Sequence, residues 1–152
     1  MIFEGYAPES KVWIFVVSKE LDSSQSNELS DSLSQFVSQW QAHGKQLEAD
    51  FNLNGRRLII CVNAASEPAS GCSIDKLYTL LSGFSSRHRL DFMDRMWLLT
   101  ENGLCLHAQK DAQDLSKLKG HKIVDLSINQ LSTWKSNGYI SAESSWIAGK
   151  IN

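Results

Sequence analysis

The chain has 152 residues, 42% of them hydrophobic and 21% charged, with 15 lysines and arginines set against 17 acids for a net charge of −2. A chain of this length folds most simply as one domain, residues 1–152, burying about two-thirds of its unfolded surface, and the composition excludes a disordered tail. The near-balance of charge weighs against nucleic acid as a partner, because Arg56-Arg57 and Arg87-His88-Arg89 are isolated basic clusters rather than a stripe.

Cys61, Cys72 and Cys105 lie far apart and no signal peptide opens the chain, which points to reduced thiols and a cytoplasmic location. The longest apolar run, Val12 to Val17, is too short to span a bilayer, so no membrane association is expected. The five tryptophans belong either in the core or on a partner-facing surface, where aromatics are enriched.

In chain order, "KVWIFVV" (11–17) is apolar on both alternating faces, as in a central strand covered on both sides. Leu29, Leu33, Phe36, Val37 and Trp40 then share one helical face, with Asp22 or a following serine as N-cap and His43-Gly44 at the helix end. Leu47, Ala49 and Phe51 alternate with Glu48 and Asp50 as in an edge strand, and Asn54-Gly55 signals a hairpin. Leu58 to Val62 returns as a second central strand.

A second helix opens at Cys72-Ser73 and carries Ile74, Leu77, Leu80, Leu81 and Phe84 on one face. "RMWLLTENGLCLH" (95–107) reads as a hairpin turning at Asn102-Gly103.

The resulting β-α-β-β-α-β order predicts an α+β, ferredoxin-like core over about 10–108, with an added strand. A C-terminal extension over about 109–152 is expected to pack on the sheet. Two central strands that are apolar on both faces require cover on the side without helices. That cover is the C-terminal segment, with Leu131, Trp134, Ile140 and Trp146, in preference to a second copy of the chain.

The same topology predicts which residues share an end of the sheet. His43, Asn63, Cys72, Ser73 and Asp75 gather at one end. Arg56, Arg57, Arg87, His88 and Arg89 gather at the other, with Asp94 and Arg95 nearer to it.

"ASGCSID" (69–75) is the best candidate for chemistry, because a helix N-terminus presents unpaired N–H groups that can hold an anion or stabilise a thiolate. Gly71 would let a ligand approach the backbone, Ser73 would add a donor, and Cys72 with His43 would form a nucleophile–base pair. Plain structural roles account for the same residues first. Ser73 serves as N-cap, Asp75 suits the helix dipole, Gly71 makes a turn, Cys72 fills a gap, and His43 complements a helix C-terminus.

Asp94 and Arg95 read as an ion pair between strand neighbours or as a polar site. His88 reads as a solvated helix end, and Cys61 and Cys105 as inert core thiols. His107 and His121 have no neighbour at metal-ligand spacing, so neither metal nor cofactor is implied.

"VWIF" (12–15), "QW-x-AHG" (39–44), "ASGCSID" (69–75) and Phe92, Asp94 and Arg95 of "F-x-DR" together resemble a family of small bacterial proteins of uncharacterised activity, similar in length to this chain. Members are sometimes labelled ABC transporter ATPases. This chain lacks the G-x-x-x-x-G-K-[ST] phosphate loop such a label requires. The family tends to carry an acidic pair where Asn63-Ala64 stands here, and a histidine where Ile147 stands. These departures weigh against a carboxylate-dependent mechanism. The resemblance implies His43, Gly44, Gly71, Cys72, Ser73, Asp75, Asp94 and Arg95 as site positions and implies no activity.

The leading expectation is a binding or regulatory module, not an enzyme, that recognises a small anionic ligand or a protein partner at the end holding the Cys72 helix start and His43. One alternative is a thiol-dependent enzyme using Cys72 with His43. Another is a structural protein dimerising through its sheet, so the chain is expected as monomer or homodimer.

Overall fold

The computed structural model describes residues 2–151. Its centre is a three-stranded antiparallel sheet in the order β1-β5-β4, formed by Lys11–Val16 (β1), Arg57–Val62 (β5) and Ala49–Asn54 (β4). β5 is buried at all six positions, as a strand apolar on both faces requires. It pairs with β1 from Lys11↔Val62 to Val16↔Arg57 and with β4 from Ala49↔Val62 to Asn54↔Arg57.

On one face Phe15, Val17, Leu58, Ile60 and Val62 pack against the helices α1 (Ser23–Gln39) and α2 (Gly71–His88), through Leu29, Leu33, Leu77, Leu81 and Phe84. Asp22 is the N-cap of α1, its carboxylate accepting from the Gln25 N–H at 2.7 Å while the Gln25 side chain accepts from the Asp22 N–H. This reciprocal arrangement satisfies two end donors at once.

The opposite face, with Val12, Ile14, Val16, Ile59 and Cys61, is covered by Phe3 near the start of the chain, by Leu99, and by Val124, Ile128 and Leu131 of the C-terminal segment. Burying each such aliphatic side chain contributes about 1.5–3 kcal/mol. Exposing the whole face would remove a sum comparable to a typical total stability of about 5–15 kcal/mol. The C-terminal segment thus covers this face through Leu131 and Trp134, whereas Ile140 packs in a separate cluster and Trp146 is exposed, contrary to expectation.

The expected ferredoxin-like order is not completed. Trp97–Leu99 (β6) does not lie along β1 but pairs with Cys105–His107 (β7). The outer edge of β1 is met instead by residues 129–130, where the Val12 N–H donates to the Asn129 carbonyl and Lys11 bridges Gln130. The cause lies just after α2. Arg89 caps that helix in the left-handed conformation, and Asp91 is bonded to Ser18 through both main-chain groups. The chain is thereby carried across the sheet face instead of along its edge.

Beyond β7 come a 3-10 helix (Ala112–Leu118), then Lys122–Val124 (β8), Leu131–Ser136 (α3) and Tyr139–Ser141 (β9), with β8 and β9 paired and a Thr100↔Ile123 bridge joining them to β6. Leu98, Leu106, Leu115, Leu118, Ile123, Ala142 and Ile147 form a separate cluster there. Ile147, the position of the family's late histidine, is fully buried in it.

Two local expectations shift. α1 stops at Gln39, so His43-Gly44 is not a helix end but the turn between Gln41–Ala42 (β2) and Lys45–Gln46 (β3). Both residues have positive φ, 54° and 75°, the pattern of a type I′ hairpin. The dipole explanation for His43 therefore falls. The β4–β5 loop is Gly55-Arg56 rather than Asn54-Gly55, with the glycine at φ 58° in the first loop position, as type II′ turns prefer.

Candidate functional site

The end holding the start of α2 is closed on itself. The N-cap is Ser70, not Ser73: the Ser70 hydroxyl accepts from the Ser73 N–H at 3.1 Å and the Ser73 hydroxyl from the Ser70 N–H at 2.6 Å. The indole of Trp40 donates to the Ser73 carbonyl at 2.8 Å, tying the helix start to the chain leading into β2. The His43 hairpin lies at this end too, because β2 packs against α2 and Lys45 pairs with Glu67.

Yet His43 and Cys72 are both exposed, and neither hydrogen-bonds the other. Gly71 and Asp75 are exposed as well, and a side chain added at Gly71 would meet nothing within 4 Å. The backbone there cradles no close neighbour. Nucleophile and base are not brought together.

Asn63 anchors the same end. Its side-chain oxygen accepts from the Ala7 and Ala65 N–H groups at 3.0 and 3.2 Å, and its amide donates to Glu48 at 2.8 Å. An amide fits here because the environment needs both an acceptor and a donor.

The other end is different. Arg57 opens β5 on the face turned toward the C-terminal segment and is only 8% exposed. Its guanidinium donates to the Tyr139 hydroxyl at 3.2 Å and to Asn52 at 3.1 Å, and lies 5.5 Å from the Trp134 ring. Nε is buried with no partner, and among the described residues no carboxylate forms an ion pair with Arg57. Beside it, Arg56 donates from Nε to the Val17 carbonyl and sits 5.1 Å from the Trp97 ring. One Arg56 terminal nitrogen and the Trp97 indole nitrogen are also buried without partners. Both arginines line a cleft of about 240 Å³ whose walls include Glu20, Thr100, Glu101 and Tyr139.

Asp94 and Arg95 lie just before β6 and do not pair with each other. The side chain of Arg95 reaches the Leu126 carbonyl. Asp94 accepts instead from buried His107 at 2.9 Å. Nδ1 of His107 accepts from the Gln109 and Lys110 N–H groups, so its proton sits on Nε2, facing Asp94. Both ring nitrogens are occupied, which leaves no free base. The Met96 N–H and then His107 hold the Asp94 carboxyl below the ordinary carboxylate range.

His88 is not a solvated helix end. It packs 4.4 Å from Phe84 and bonds Glu28 of α1 at 3.0 Å, and Arg87 meets the same carboxylate. Burial pushes the Cys61 thiol up to about 12 and raises Cys105 too, consistent with unreactive thiols.

Among the described residues no group of three histidines, cysteines or acids could hold a metal ion, and no helix is long and apolar enough to cross a membrane. The chain matches no family model, no curated protein and no solved structure.

Arg57, Asn52, Tyr139 and His107 are the residues that sequence reasoning passed over as site members. "RR" after a turn glycine reads as a solvated pair. Only alternation along β5, which sets Arg57 beside Ile59 and Cys61 on a two-sided strand, hinted that one of the two turns inward.

Proposed function

We propose that this chain is a binding module, not a catalyst, and that its ligand presents an anionic group to the cleft formed by Arg56 and Arg57. The observation carrying this reading is a guanidinium buried to 8% exposure with no ion-paired carboxylate among the described residues. Arginine cannot shed its proton to escape burial. An uncompensated buried charge costs several kcal/mol, and two neutral acceptors with one aromatic ring offset only part of that. Carboxylate or phosphate oxygens in the cleft would supply the opposite charge that the two guanidinium groups lack.

The helix start at Cys72 offers an anion less, because two of its end groups are engaged by the Ser70–Ser73 box. A thiol mechanism has no support in a pair that does not touch.

The test is thermal unfolding with phosphate, sulfate and acetate, alone and on Arg57→Met. Binding to the folded state raises apparent stability, by about 2.7 kcal/mol at a hundredfold excess over Kd. Arg57→Met is expected to fold within about 1 kcal/mol of the parent, since replacing an unpaired buried charge with an apolar side chain is often neutral or favourable. It should also abolish the anion response. Stability that no anion raises would overturn the reading.

A further inference from the structure

We infer that the ligand of the arginine cleft is a small zwitterion, with its carboxylate toward Arg56 and Arg57 and its ammonium toward Glu20 and Glu101. This rests on the reading of the cleft as an anion site and narrows it.

The cleft is lined by charges of both signs that do not neutralise one another. Arg56 comes from the β4–β5 turn, Arg57 from the first position of β5, Glu20 from the loop between β1 and α1, and Glu101 from the β6–β7 loop. Three separate segments thus converge on one hollow. Neither Glu20 nor Glu101 forms an ion pair with either arginine, although all four line the same space. Arg57 is nearly buried and Glu20 and Glu101 are exposed, so positive charge lies deep and negative charge stands at the mouth.

That layout selects by sign. A simple anion gains the arginines but must pass and remain near two carboxylates. A simple cation meets the reverse. A molecule with an anionic and a cationic group a few ångströms apart satisfies both at once, and complementarity of this kind is how interfaces reject wrong partners.

Size narrows it further. About 240 Å³ is below the roughly 300–1,000 Å³ of sites for drug-sized ligands, which suits a free α-amino acid. Leu99 supplies an apolar wall and Tyr139 a ring beside Arg57, room for a modest side chain.

The experiment is calorimetric titration with the free proteinogenic amino acids tested singly. The N-acetyl derivative and the methyl ester of the best binder, and inorganic phosphate, serve as single-charge controls. The free amino acid should bind at least about tenfold more tightly than either derivative. Arg57→Met should remove binding of both the amino acid and its N-acetyl form. The double variant Glu20→Gln, Glu101→Gln changes only exposed side chains and should fold normally. It should weaken the amino acid about tenfold while strengthening the N-acetyl form and phosphate, reversing the preference.

An N-acetyl amino acid or phosphate binding the parent as tightly as the free amino acid would overturn the zwitterion and leave the anion site standing. Binding of the ester alone, or of nothing, would overturn both.

Discussion

Around Asn63 the β1-β5-β4 sheet ends in groups that answer one another: an amide whose oxygen and nitrogen both have partners, and a helix whose first turn is capped by its own serines. Around Arg57 the same sheet ends in groups that do not: among the described residues, three nitrogens of Arg56, Arg57 and Trp97 are buried without partners. The end that looks reactive by residue type, with cysteine, histidine, serine and glycine, is internally complete. The end that looks bland, with a turn and two arginines, is incomplete. Residue type marks what a site can do, whereas an unmatched buried polar group marks where something is missing.

The largest effect that would sharpen this contrast is expected at Asn63. Asn63→Asp sets a buried carboxylate against Glu48 and removes the amide donor between them, so we expect a loss of about 2–4 kcal/mol by denaturant unfolding. The loss should shrink as pH falls and one carboxylate protonates. A neutral substitution here would mean the Asn63 end is not tightly matched after all.

Next in size, Ser70→Ala should cost about 1 kcal/mol, the usual cost of losing an N-cap. Ser73→Ala should cost a similar amount by breaking the same box from the other side.

Asp94→Asn probes the arginine end through acid sensitivity. The folded Asp94 carboxyl is held below its ordinary value. Its contribution is therefore present above the ordinary carboxylate pKa and disappears as pH falls through the lowered one. Parent and variant should differ near neutrality and converge in acid. A difference that persists at low pH would assign the effect to packing around His107 instead.

The smallest effect should be at Cys72. Cys72→Ser changes an exposed side chain without partners and should stay within about 0.5 kcal/mol, with ligand binding unchanged. Lost binding in that variant would move the site back to the helix start.

Much of the fold was legible because its signals are local. Continuous apolar runs mark β1 and β5, period-3.6 runs mark α1 and α2, and Asn102-Gly103 marks the β6–β7 hairpin. What was not legible is set over distance. β6 alone reads as a strand, and nothing in it says that residues 129–130 occupy the edge of β1. Two-residue strands such as β2 and β3 have no period, so from sequence the His43-Gly44 turn reads as a helix end. Arg57 and Tyr139 stand 82 positions apart, and the burial of one depends on the arrival of the other.

That arrival has a consequence for synthesis. The three strands of the central sheet and both long helices are all translated by His88, yet Val124, Ile128, Leu131 and Trp134, which cover Val12, Ile14 and Val16, come dozens of residues later. During that interval the nascent chain lacks the residues that cover one sheet face and the outer edge of β1. Both features recruit chaperones and neighbouring chains. A chain cut before Val124 would therefore leave that face bare, whereas one extending past Tyr139 contains the segment that covers it.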